Sequence, residues 1–123
     1  GMRRFAEPFL SGLFDERTFR TQPETVELVR TLILGTAPAA VAGTLLALSA
    51  RTDATASLYA IRVPTLILVG QHDTLTPPSA SRAMKEKIAG AELHVIPHAG
   101  HLANLENAPV FNEHLLEFLA RVA

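Results

Sequence analysis

Cysteine is absent from these 123 residues, which excludes a disulfide framework, thiol catalysis and zinc sites built on thiolates. That absence fits a reducing compartment, and a cytoplasmic location is the expectation. An excess of either charge is also missing, since 11 Lys and Arg stand against 12 Asp and Glu for a formal net charge of -1. No basic surface asks for nucleic acid, and no acidic tail suggests a polycationic partner. Long apolar runs are lacking too. The longest, around 41–48, includes Gly43 and Thr44 and falls far short of the ~20 residues a bilayer span needs, so no membrane partner is expected. The start, Gly1-Met2-Arg3-Arg4 with Glu7 and Pro8 close behind, does not read as a signal peptide. Gly1 ahead of Met2 reads as the remnant of a removed tag, with the native product beginning at Met2.

What is present is a hydrophobic fraction of 48%, enough for one domain or less that buries roughly two-thirds of its unfolded surface. The pattern changes once, near Ile61. Residues 1–60 read as a helical segment, and residues 61–123 alternate strand and helix. In the first segment, Thr21-Gln22-Pro23-Glu24 has the form of a capping box, and Gly35 suits a left-handed position after the last turn. A second helix, from Thr36 or Pro38 to about Ala50, is apolar nearly all round and is expected to be buried on more than one side. Residues 53–60 read as a short helical connection.

Val63 to Gly70 is a continuous apolar run of strand length, as in a parallel sheet covered on both faces. Pro77-Pro78 opens a helix to about Ile88 with Gly90 at its end, Glu92 to Ile96 is the next strand, and Pro97 stops it. Pro109 starts the last helix, with Phe111, Leu115, Phe118, Leu119 and Val122 as its apolar stripe. The fold class is α/β, a βαβα unit with parallel strands joined by a right-handed crossover. Two buried strands each want a neighbour on both edges. The chain is therefore expected to form a homo-oligomer through its sheet or to pair with a further segment.

Ligands and catalytic groups gather beyond the carboxyl ends of strands in open α/β sheets. Asp73 follows the first strand by three residues and His101 the second by about five, so both loops open on one edge. A carboxylate bonded to one imidazole nitrogen fixes the tautomer, and the other nitrogen then serves as general base to a serine hydroxyl. Gly100 leaves room for the histidine loop to turn sharply.

The stretch I-x-V-P-T-L-I-L-V-G-x-x-D-x-x-T-P, followed by A-x-L-x-V-I-P-x-A-G-H-L-x-x-L-E, resembles the C-terminal half of α/β-hydrolases. The likeness is to the esterase, 3-oxoadipate enol-lactonase and haloperoxidase-like branch, specific over 61–122 and extending to 17–60, where that family carries helical lid segments. The resemblance implies a partial α/β-hydrolase fold with Asp73 as triad acid and His101 as triad base. It places Leu75, Thr76 and Leu102 at the border of a substrate pocket, implies a carboxylic ester or lactone as substrate, and calls for no metal or cofactor.

The family's G-x-S-x-G elbow does not occur here. None of Ser11, Ser49, Ser57, Ser79 and Ser81 has flanking glycines at that spacing, and Ser79 and Ser81 read as helix caps. These residues alone are not expected to hydrolyse esters at a useful rate, because the oxyanion donors are missing as well. The nucleophile would come from an N-terminal half. A different reading is a non-catalytic oligomerising module derived from a truncated hydrolase. Among the remaining candidates, His72 beside Asp73 offers two metal donors without a third or fourth. His94 and His98 read as packed or solvated, His114 as surface, and Lys85-Glu86-Lys87 as a solvated helix face. Glu106 either orients the histidine loop or serves helix-start electrostatics before Pro109.

Overall fold

Ala6, Leu10 and Leu13 recur at helical spacing, and they are the residues that α1 (Met2–Leu13) buries in the computed structural model, which describes residues 1–123. Asp15 caps α2 (Glu16–Thr21), its carboxylate accepting from Arg17 N at 2.7 Å. Gln22 is the N-cap of α3 (Pro23–Gly35), with Pro23 in the first turn. The expected capping box does not form, because Thr21 still belongs to α2 and gives its hydroxyl to Arg17 O. Gly35 is not left-handed either: α3 ends on Thr36 in an extended conformation. Val26 and Val29 of α3 meet Leu10, Leu13 and Phe14 in one core cluster, and Ile33, Leu102 and Leu105 pack against it. The helical segment is thereby joined to the far end of the chain.

Helix α4 (Pro38–Ser49) departs most from expectation. It buries no residue at all, and Leu45, Leu46 and Leu48 are exposed. Its composition states a demand for burial that nothing in these residues meets. α3 and α4 meet at a bend of 97°, and no single helix is long and apolar enough to cross a membrane.

A 3₁₀ turn (Thr55–Ala60) leads into β1 (Leu66–Gly70), α5 (Pro78–Lys87), β2 (Glu92–Ile96), α6 (Ala103–Glu106) and α7 (Ala108–Val122). The strands pair in parallel from Leu66↔Glu92 to Gly70↔Ile96. They make a two-stranded sheet, so β1 has no partner on its other edge. Pro77 occupies the N-cap of α5 without a side-chain bond, so Ser79 and Ser81 do not cap it. Gly90, at φ 74°, takes the left-handed turn after α5.

Ile96, Ala99 and Ala103 form a second core cluster, with Leu68, Val110 and Phe111 packed on it. Along α7, Phe111, Leu115, Phe118 and Leu119 face Leu66 and Leu68 across a shallow apolar depression. His114 is half-buried rather than a surface residue. Its ring stacks on that of His94 in β2, with centroids 3.9 Å apart.

Candidate active site

The loops leaving β1 and β2 lie side by side because two glycines permit it. A Cβ on Gly70 would fall 1.9 Å from Gly100 O and 2.6 Å from Ala99 O. One on Gly100 would meet Asp15 N at 2.8 Å and Phe14 C at 2.9 Å. Gln71 N donates to Ile96 O and His72 N to Ala99 O, at 2.8 and 2.9 Å. His101 N in turn donates to Leu13 O at 2.8 Å. Three backbones, the two strand loops and the α1–α2 corner, are thus in direct contact.

This junction brings Asp73 and His101 together. Asp73 Oδ2 lies 2.9 Å from His101 Nδ1. The same oxygen accepts from the Thr76 hydroxyl, while Oδ1 accepts from Leu75 N and Thr76 N, each at 2.9 Å. The carboxylate is therefore fully engaged and cannot swing away from the imidazole. Burial pushes the Asp73 carboxyl up. The Thr76 N–H, the His101 ring and the Thr76 hydroxyl outweigh it and hold the group below its ordinary 3.8. The carboxylate side chain is 4% exposed and the imidazole 35%. Nδ1 faces the acid, and Nε2 makes no hydrogen bond within the chain.

Asp73, Thr76 and His101 line one end of an open cleft of about 630 Å³ that runs along β1 between α5 and α7. Of the three residues expected to border a pocket, Thr76 lines this cleft and Leu75 and Leu102 do not. Leu75 lies over Gly12 of α1, and Leu102 packs on the helical core.

A second carboxylate–imidazole pair stands beside the first. His72 Nδ1 is hydrogen-bonded to Asp15 Oδ2. Burial pushes the Asp15 carboxyl up, but the His72 ring and the Arg17 N–H prevail and hold it below its ordinary 3.8. His72 is thus engaged with Asp15, and no group of three or more His, Cys, Asp and Glu is arranged to hold a metal ion. Asp15 was not singled out by its sequence, where an Asp before a short helix reads only as a cap.

Glu106 is buried, and its carboxylate accepts from Gly100 N, Asp15 N and the Thr18 hydroxyl at 2.8, 2.8 and 2.6 Å. Of the two roles its sequence position allows, the contact with Gly100 places it on the histidine loop.

A family profile described as the alpha/beta hydrolase fold matches residues 11–108. The chain belongs to the α/β-hydrolase family. A thermophilic esterase from Thermogutta terrifontis superposes on 99% of the chain with TM-score 0.94 and 38% identity, the chain covering 45% of it. The enol-lactonase from Burkholderia xenovorans superposes on 98% of the chain with TM-score 0.91 and 28% identity, again with 45% of that protein covered. In sequence, the 2-hydroxy-6-oxononadienedioate/2-hydroxy-6-oxononatrienedioate hydrolase of Klebsiella pneumoniae is 44% identical over 61 residues, 50% of the chain and 21% of that protein. The chain therefore spans less than half the length of these hydrolases. What it shares with the esterase and the enol-lactonase is nearly its whole structure: the helical segment, the parallel pair of strands and the α/β-hydrolase arrangement that joins them.

Proposed function

We propose that this chain carries the acid and the base of a serine-type hydrolase acting on carboxylic esters or lactones, the nucleophile belonging to residues outside these 123. The observation that carries the reading is the 2.9 Å contact between Asp73 Oδ2 and His101 Nδ1, with the other ring nitrogen unengaged. In the reaction, His101 Nε2 takes the proton of an incoming serine hydroxyl as its oxygen attacks the acyl carbon. The Asp73 carboxylate stabilises the imidazolium so formed and holds its tautomer. The proton then passes from Nε2 to the leaving alkoxide, and the cycle repeats with water in place of serine. The choice of esters and lactones is supported by the esterase and the enol-lactonase, which share this chain's architecture over nearly its full length.

The test is a fusion in which the N-terminal half of the Thermogutta terrifontis esterase precedes this chain, assayed with p-nitrophenyl butyrate. The fusion is expected to hydrolyse the ester, and His101→Ala to lower kcat by about 10³-fold or more, the scale of a lost general base. Hydrolysis that survives His101→Ala defeats the assignment.

A second reading, a non-catalytic module that self-associates, draws on the apolar helix α4, which buries no residue, and on the unpaired edge of β1. A monomer at micromolar concentration in solution scattering would count against it.

A further inference from the structure

We propose that Glu106 is a positioning residue for His101, acting through the backbone of Gly100; the proposal deepens the functional reading above and rests on it. Glu106 is buried at 5% exposure, and no cation is paired with it. A carboxylate in that position is costly unless its lone pairs are met. They are met entirely by neutral donors, and those donors come from the two places whose relative position fixes the dyad. Oε1 takes Gly100 N, the amide of the residue before His101. Oε2 takes Asp15 N and the Thr18 hydroxyl, from the start of α2. The Glu106 carbonyl accepts from Gln22 Nε2 at 2.8 Å, which ties the start of α3 to the same point.

The consequence for His101 follows from its own backbone. His101 N donates to Leu13 O, two residues before Asp15. The histidine loop is therefore held to the α1–α2 corner at three successive amides, directly at residues 101 and 102 through Leu13 O and through Glu106 at residue 100. Release of the Glu106 hold frees the 99–100 peptide and lets the loop turn about its bonds to Leu13 O, which carries Nδ1 away from an Asp73 carboxylate that its own three donors keep in place. A carboxylate is required because both of its oxygens face donors. Glutamine has one acceptor oxygen, and its NH₂ would face an N–H. With that oxygen turned to Asp15 N and Thr18, Gly100 N is left facing the NH₂.

The experiment reads the low-field Nδ1 proton of His101 by NMR in the full chain, as the signature of its bond to Asp73. In Glu106→Gln this proton is expected to exchange with water at least about tenfold faster, the population change that loss of a charge-assisted bond brings. In Thr18→Val, which removes one donor but leaves Gly100 tied, it is expected to remain as in the wild type. A merely structural Glu106 would lower stability in both variants and leave the signal alone. An unchanged signal in Glu106→Gln overturns the inference only. An unchanged signal in Asp73→Asn overturns the dyad, and the inference with it. Should Glu106→Gln fail to fold, amide exchange in the wild-type chain decides the matter. Gly100 and Asp15 N–H, bonded to one carboxylate, are expected to exchange at a common slow rate, and a Gly100 amide as fast as an exposed loop overturns the proposal.

Discussion

His72 and Asp73 are chain neighbours, yet each enters a carboxylate–imidazole pair with a partner from a different end of the molecule. In one pair the acid comes from the β1 loop and the imidazole from the β2 loop, and the imidazole keeps a free nitrogen on the cleft. In the other the imidazole comes from the β1 loop and the acid, Asp15, from the α1–α2 corner, where the same carboxylate caps a helix. Asp73 spends its hydrogen bonds within its own loop, on Leu75 and Thr76, and so orients one ring. Asp15 likewise keeps one oxygen within its own corner, on Arg17 N, and gives the other to His72, so its carboxylate joins that corner to the β1 loop. Under the proposed function the same pairing serves reaction in one place and attachment in the other, and the difference lies in the cleft that Asp73 and His101 line and Asp15 and His72 do not.

Substitutions should separate the two pairs, and the largest contrast is kinetic. In the esterase fusion, His101→Ala costs the ~10³-fold or more expected of a general base, while His72→Ala leaves kcat within about threefold. Comparable losses in both would mean that the second pair also takes part in turnover. Next comes the joint that both pairs share. Gly70→Ala places a methyl group 1.9 Å from Gly100 O, and urea denaturation is expected to show a loss of about 3 kcal/mol or more, at the upper end for overpacking. Wild-type stability in that variant would mean that the loops can part without cost.

Asp15→Ala removes a helix cap and the His72 partner together, and about 1–2 kcal/mol is expected from the cap alone. The pH dependence sharpens this. Asp15 and Asp73 are both held below 3.8 in the folded chain, so their ionised forms stabilise the fold above the unfolded value. That contribution disappears as the pH falls through the folded values. The pH-dependent part of the difference between wild type and Asp15→Asn is therefore expected in full at neutral pH, to decline in acid below about pH 4 and to vanish once the pH is below the folded value. A difference that grows on acidification would reverse the sign. The smallest effect is that of His72→Ala on stability, within about 1 kcal/mol, since its ring is 51% exposed.

How far the sequence disclosed this arrangement depended on the range of the interactions. Strand β2 lies on the residues its apolar pattern marks, and the apolar run before Gly70 ends as β1 ends. Both loops that carry Asp73 and His101 could be placed on one sheet edge from strand polarity alone. Local competition misled elsewhere: Pro23 restarts the helix one residue later than Thr21 suggests, so the capping box is lost. Composition announced that α4 is apolar, but it carries no information about what covers such a helix. The Asp15–His72 and Asp15–Glu106 contacts were illegible for a different reason, because they join residues 57 and 91 positions apart, and no local pattern encodes a bond across such a separation, whereas the Glu106 contact with the histidine loop is one of the two readings its sequence position allows.

That separation gives the site an order in time. The acid loop is made by β1 and the few residues after it, so its hydrogen bonds can close within a single short stretch of chain. The histidine loop depends on more distant partners. Its seat at residues 13–18 is laid down first, and the carboxylate that clamps it there arrives 91 positions later, after the entropy of a long loop has been overcome. A chain that stops short of Glu106 keeps the direct bonds from the histidine loop to Leu13 O but lacks the clamp on Gly100.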